Sequence, residues 1–333
     1  LKQFDENRGS APFPTFGYAV TTADLDHRAR RAAILRDCTS LTPEYEGKWD
    51  AVCRADGSLE FAALDRLADF AKANDLALHG HTLCWHGSVP TQFTKVDAER
   101  FRTAATVYVR NAVDRYRGVM RSWHVVNEPL HLPDGRDDGL RRTLYLHAFG
   151  PAYIHELFRI VASRDPDALL VLNEMGLEDQ SPEADAKRRA MLRLLETALG
   201  DGVPIHALGL QSHLDAATFL RGSHEPFARW LRDVTALGIE VMVTELDVDD
   251  RGLDGNTDLR DALTAVVYRD YLALVRDNAL LRDVTLWGLS DDHSWLNASC
   301  DDRSARPLLF DKNLIPKPAW HEVMALRRGV RRS

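Results

Sequence analysis

The 333-residue chain has no apolar run of the roughly 18 residues that a membrane-spanning helix needs, so no membrane partner is expected. It has no basic excess either. Its 42 Lys and Arg stand against 50 Asp and Glu, a formal net charge of -8, which argues against a nucleic-acid partner. Cysteine is scarce: Cys38, Cys53, Cys84 and Cys300 show no CxxC spacing. That argues against a zinc centre built from thiolates and leaves the disulfide state open. No stretch rich in Pro, Gly or Ser divides the chain, and none is of low complexity, so one domain over residues 1–333 is expected. No Gly-rich turn follows an early apolar run, as it does in a doubly wound nucleotide-binding sheet. The opening LKQFDENRGS has neither an initiator Met nor the apolar core of a signal peptide. The expectation is a leader already removed or a chain trimmed at this end.

What is present is a repeated alternation. Eight short apolar runs, at 16–20, 38–42, 76–82, 123–127, 169–173, 205–211, 240–245 and 284–289, are separated by amphipathic segments. Most runs are rich in Val, Leu or Ile with little alternation, as strands buried on both faces are. Apolar residues recur at three- and four-residue spacing over 61–74, 191–199, 226–237 and 259–275, which predicts helices. Asp56, Ser58 and Thr257 stand where helix caps belong. Eight strand–helix units predict a single (β/α)8 TIM barrel, with an open doubly wound sheet as the alternative.

A barrel gathers chemistry at the C-terminal ends of its strands. The unusual residues of this chain collect there: TPEYEGKW after the second run, then GHTLCWH, WHVVNEP, VLNE, LQSHLD, VTELDVD and WGLSDDHSW. Glu128 and Glu245 each close an apolar run, in VVNE and VMVTE, where a structural acid has no evident reason to be. One such Glu alone reads more readily as half of an ion pair. Two of them, with Asn127, His213 and Trp287, suit glycoside hydrolysis, in which one carboxyl stays protonated and the other ionised.

The histidines offer a rival. His79 and His81, two apart on one strand, could join His213 and Asp291 in a barrel metallohydrolase. Strand four contributes the NE pair and strand five no third histidine, and three tryptophans are left unexplained. Trp85, Trp287 and Trp295 at strand ends suit stacking on the flat C–H faces of sugars, although any one of them alone reads as core. No metal or other cofactor is expected, since water and two carboxylates suffice.

Together, GHTLCWH, WHVVNEP, LGLQSHLD, VTELDV, WGLSDDHSW and LLFDKNLIPKPAW resemble family 10 glycoside hydrolases, the endo-1,4-β-xylanase family, in the same order from about residue 16 to residue 326. The resemblance implies a retaining hydrolase of β-1,4-xylosidic bonds, with Glu128 as general acid/base and Glu245 as nucleophile. Its carboxyl groups would lie about 5–5.5 Å apart. It implies that Asn127 bonds the 2-hydroxyl of the reacting sugar. His213, oriented by Asp247, would donate to Glu245 from a neutral imidazole. By the same resemblance His81 and Trp85 hold the sugar before the scissile bond, Glu44 and Lys48 contact the next one outward, and Gln211 lines the centre. Trp287 and Trp295 would wall the cleft. His79 stands where the family often has Arg and reads as structural.

The arms of the cleft depart from the family. TPEYEGKW stands where TPENEMKW is common, so Tyr45 replaces an amide and Gly47 a Met. Ser88 replaces a glutamine, and NEMGLE stands where NDYNIE is common. The expected substrate is xylan or a xylo-oligosaccharide, with another β-glycan or a short oligosaccharide as the alternative. A polymeric substrate implies a secreted or periplasmic enzyme, read here as a monomer.

Overall fold

The computed structural model describes residues 14–297 and 304–328, so Cys300 lies outside the described residues. All eight apolar runs give strands: β1 (Thr15–Val20), β2 (Ser40–Pro43), β3 (Ala77–Gly80), β4 (Met120–Asn127), β5 (Leu169–Glu174), β6 (Ala207–Leu210), β7 (Glu240–Asp249) and β8 (Leu281–Leu286). Each pairs in parallel with the next, and β8 also pairs with β1, which closes the predicted barrel. Among the described residues no helix is long and apolar enough to cross a membrane.

Helices Ala62–Ala73, Pro182–Gly200, Glu225–Ala236 and Thr257–Asn278 occupy the four stretches predicted by spacing. The structure adds Arg28–Asp37, Ala98–Arg115, Tyr153–Arg164 and Pro318–Arg327, which complete one helical crossover after each strand. The expected caps are corrected. Asn256, not Thr257, accepts from the Leu259 amide at 3.0 Å. Asp56 and Ser58 close a turn on each other, at 2.9 Å from the Ser58 amide, because Asx turns compete with helix starts.

Alternation along the strands separates two cores. On β5, Leu170 and Leu172 join the large core under the helices, whereas Val171 meets Ala207 of β6 and Met242 of β7 in a small separate cluster inside the barrel. Asn173, next on the inner side, therefore stands above that apolar plug at the mouth of the barrel.

Two irregularities then re-aim side chains. On β7, Val243 pairs with Val284 and Leu246 with Leu286, so three residues of β7 span two of β8. This bulge brings both Thr244 and Glu245 to Asn173, while Leu246 returns to the large core. On β4 a similar shift lies between His124 and Val126. The residues that follow β4 and β6 also leave the extended region: Glu128 has φ 54° and Ser212 φ 64°. A strand would point Asn127 and Glu128 to opposite faces. The left-handed residue lets both side chains converge.

Candidate active site

The loop after β2 carries Glu44, Tyr45 and Lys48, and it is fixed by the residue that follows them. Trp49 is buried between Phe93 and Tyr108, with ring centroids 5.3 and 5.5 Å away and nearly parallel planes. Tyr108 donates its hydroxyl to the Gly47 carbonyl at 2.6 Å. Stacked aromatic pairs of this kind are worth about 0.5–1.5 kcal/mol beyond the area they bury.

Lys48 is thereby held in an aromatic box. Its Nζ lies 4.9 Å from the Tyr45 ring, 4.8 Å from Trp85 and 5.9 Å from Trp287. Burial lowers the Lys48 ammonium pKa, opposed by the charges of Glu245 and Glu44. Glu44 is pushed up to about 7, chiefly by burial and against the pull of Tyr45 and Lys48. Tyr45 itself is 51% exposed at the rim. Ser88, another departure, is buried with its hydroxyl unpartnered, so it does not take over a contact in the open cleft.

At the centre, five side-chain amides and carboxyls are linked. Asn127 donates to Glu128 Oε1 at 3.3 Å, and Gln211 donates to the same oxygen at 3.2 Å. Asn173 spends its two amide hydrogens on Asn127 Oδ1 and Glu245 Oε1, each at 2.7 Å. The chain Glu128–Asn127–Asn173–Glu245 thus joins the two predicted catalytic carboxyls through two carboxamides. Gly209, opposite Asn173 on β6, has no substitute here, because a Cβ would collide with the Asn173 carboxamide oxygen.

The outer oxygens differ in kind. Glu128 Oε2 has His86 Nε2 at 3.8 Å and an Arg141 guanidinium nitrogen at 3.9 Å, on the more open side. Glu245, 4% exposed, has His213 Nε2 at 3.5 Å from Oε2. His213 Nδ1 lies 2.9 Å from Asp247 Oδ1, and Asp247 Oδ2 accepts from Trp295 Nε1 at 2.7 Å. Burial alone would lower the His213 pKa. The Asp247 carboxylate, joined by Glu245, outweighs it and pushes His213 up to about 10. With its pKa so raised, His213 lies as an imidazolium between two carboxylates, where the resemblance implied a neutral ring.

His81 packs edge-on against Trp287 at 4.9 Å, with Nδ1 3.9 Å from Glu245 Oε1. Trp295, 44% exposed, lies 5.1 Å from the His213 ring. The site residues named from the sequence thus line one mouth of the barrel. Of the residues of the rival metal reading, His81 and His213 stay beside Glu245 while His79 and Asp291 are held elsewhere. His79 is tied to Ser122 at 2.7 Å and to Asp283 at 3.2 Å, below the site. Asp291 binds Lys317 with both oxygens at 3.0 Å. Among the described residues no three His, Cys, Asp or Glu side chains are grouped to hold a metal.

Sequence reasoning missed Asn173, His86, Arg141 and His124. Asn173 carried the signal that found both glutamates, a polar residue closing an apolar run in VLNE. His124 sits inside β4, where nothing in the pattern sets it apart from core.

The model of glycosyl hydrolase family 10 matches residues 6–326. The beta-1,4-xylanase of Dictyoglomus thermophilum is 32% identical, over 93% of this chain and 87% of its own. Endo-1,4-beta-xylanase B of Thermotoga neapolitana is 30% identical, over 87% of this chain and 81% of its own. Among solved structures, xylanase 10B from Thermotoga petrophila in complex with xylobiose aligns with a TM-score of 0.83 at 26% identity, covering 95% of this chain and 94% of that one.

Proposed function

We infer from one premise, that the chain belongs to glycosyl hydrolase family 10, which of its residues perform the hydrolysis. The enzyme cleaves β-1,4-xylosidic bonds with retention, as an endo-1,4-β-xylanase. Another β-glycan as the main substrate is not favoured, since the relatives it matches are named xylanases.

In our reading Glu245 attacks the anomeric carbon while Glu128 gives its proton to the leaving oxygen. The sugar–oxygen bond breaks as the Glu245–sugar bond forms. Glu128, now a carboxylate, then takes a proton from water, whose oxygen displaces Glu245 from the opposite face. The observation that supports this assignment is the Asn127–Asn173 bridge, which ties one oxygen of each carboxyl into a single hydrogen-bonded chain and so fixes the two groups relative to each other. Their surroundings differ as the two roles require: Glu245 is close to a histidine cation in a buried pocket, Glu128 stands on the open side. Asn127, Gln211, His81 and Trp85 meet the reacting sugar. Glu44 and Lys48 hold the next sugar outward, and Trp287 and Trp295 form the walls.

The barrel works as one catalytic domain. We read it as acting as a monomer. Xylan is too large to enter a cell, which supports a secreted or periplasmic location. A slow 2-fluoro-xylobioside tests the assignment by adding its sugar mass to the peptide VMVTELDV at Glu245. A label on another residue, or inverted products by NMR, would overturn it.

A further inference from the structure

Two buried histidines meet in the wall of the site. His81 Nδ1 lies 3.0 Å from His124 Nδ1, with the rings nearly perpendicular at 87°. Both side chains are almost fully buried. A contact of that length between two ring nitrogens needs one proton on the line: one nitrogen donates and the other accepts. If both rings carried a proton there, two donors would face each other. The contact thus excludes two imidazolium rings, and burial, which holds His124 at about 3 and lowers His81, leaves both neutral.

The direction of the bond follows from the far side of His124. Its Nε2 is buried and has no partner. If His81 were the donor, His124 would carry its own proton on Nε2, leaving a sealed N–H with no acceptor. If His124 donates from Nδ1, its Nε2 is a bare lone pair, which neighbouring C–H groups can meet weakly. Unpaired buried donors are the rarer of the two defects. Glu245 Oε1, 3.9 Å from His81 Nδ1, is beyond hydrogen-bond reach, and the shared proton lies on the same line in either case.

We propose that His124 is a positioning residue that fixes His81 as the Nε2–H tautomer, so that His81 meets the substrate as a hydrogen-bond donor. With Nδ1 occupied by His124, Nε2 is the one ring nitrogen of His81 left for a sugar oxygen. The wall of the site thus selects a ring or hydroxyl oxygen able to accept. The proposal rests on the reading of His81 as a sugar-binding residue, but its first test does not need substrate.

Long-range proton–nitrogen NMR of the histidine-labelled enzyme at neutral pH reads each tautomer directly. Expected are a protonated Nε2 with a bare Nδ1 for His81, and the reverse for His124. A His81 protonated on Nδ1, alone or together with Nε2, overturns the proposal whatever the enzyme hydrolyses. Substitution supplies a second arm. His124→Asn keeps a donor toward Nδ1, whereas His124→Leu keeps only bulk. The Leu variant should raise KM for xylotetraose roughly 3- to 10-fold, the worth of one neutral hydrogen bond, and the Asn variant should recover most of it. His124→Asp should draw a second proton onto His81 and show it in the nitrogen spectrum. Equal losses in the Asn and Leu variants, with the His81 spectrum unchanged in all three, would mean that His124 only fills space.

Discussion

Asn173 donates to Glu245 at 2.7 Å, and the two residues belong to strands β5 and β7, which are not neighbours in the barrel. The bond spans the narrow mouth of the barrel above β6, where Gly209 leaves room for it. A hydrogen bond to a charged acceptor is worth about 1.5–3 kcal/mol. Asn173→Ala should therefore lower kcat/KM on xylan roughly 10- to 100-fold, mostly in kcat, because Glu245, the proposed nucleophile, loses its aim. A fall confined to KM would assign Asn173 to ground-state binding instead.

Glu128→Ala should cripple xylan, whose leaving group needs a proton, far more than aryl xylosides with good leaving groups. Azide should restore turnover in that variant by replacing water that has lost its base. Equal losses on both substrates, with no azide response, would give Glu128 another role.

Tyr45 stands at the exposed rim, with its ring 4.9 Å from Lys48 Nζ. Tyr45→Asn should raise kcat/KM on xylotriose and longer chains by up to about tenfold and barely alter an aryl xyloside, since one neutral hydrogen bond is regained. A matching change on both substrates would show that Tyr45 does not touch the second sugar outward.

His213 gives a stability signature. Its folded-state pKa of about 10 lies above the ordinary value of 6.5, so the folded protein keeps a proton that the unfolded chain releases in that window. The stabilisation is complete below pH 6.5, fades as pH rises, and is gone above about 10. Urea midpoints of the parent and of His213→Gln should therefore converge between pH 6.5 and 10. A gap that stays constant would place the His213 charge elsewhere.

The barrel was legible because strands buried on both faces leave unbroken apolar runs, and both glutamates were legible because they end such runs. The helix Arg28–Asp37 was not, since RARRAAILRD has almost no apolar face. The charge of His213 was hidden for a different reason: it depends on Asp247 and Glu245 closing on one ring, a matter of distance rather than of pattern. His124 was hidden by its place inside a strand, where burial and function leave the same trace.

Glu128 holds a backbone angle that suits Gly or Asn better than Glu, φ 54°, a conformation costing an ordinary residue roughly 1–2 kcal/mol. The residue we propose as the acid is thus one its own backbone would discard. Random substitution at this position, screened for heat tolerance alone, should enrich Asn and Gly and return sturdier proteins that no longer cut. The hydrolytic function persists there only as long as selection reads turnover and not endurance, and the barrel is permanently one nucleotide change or two from becoming a better-folded relic.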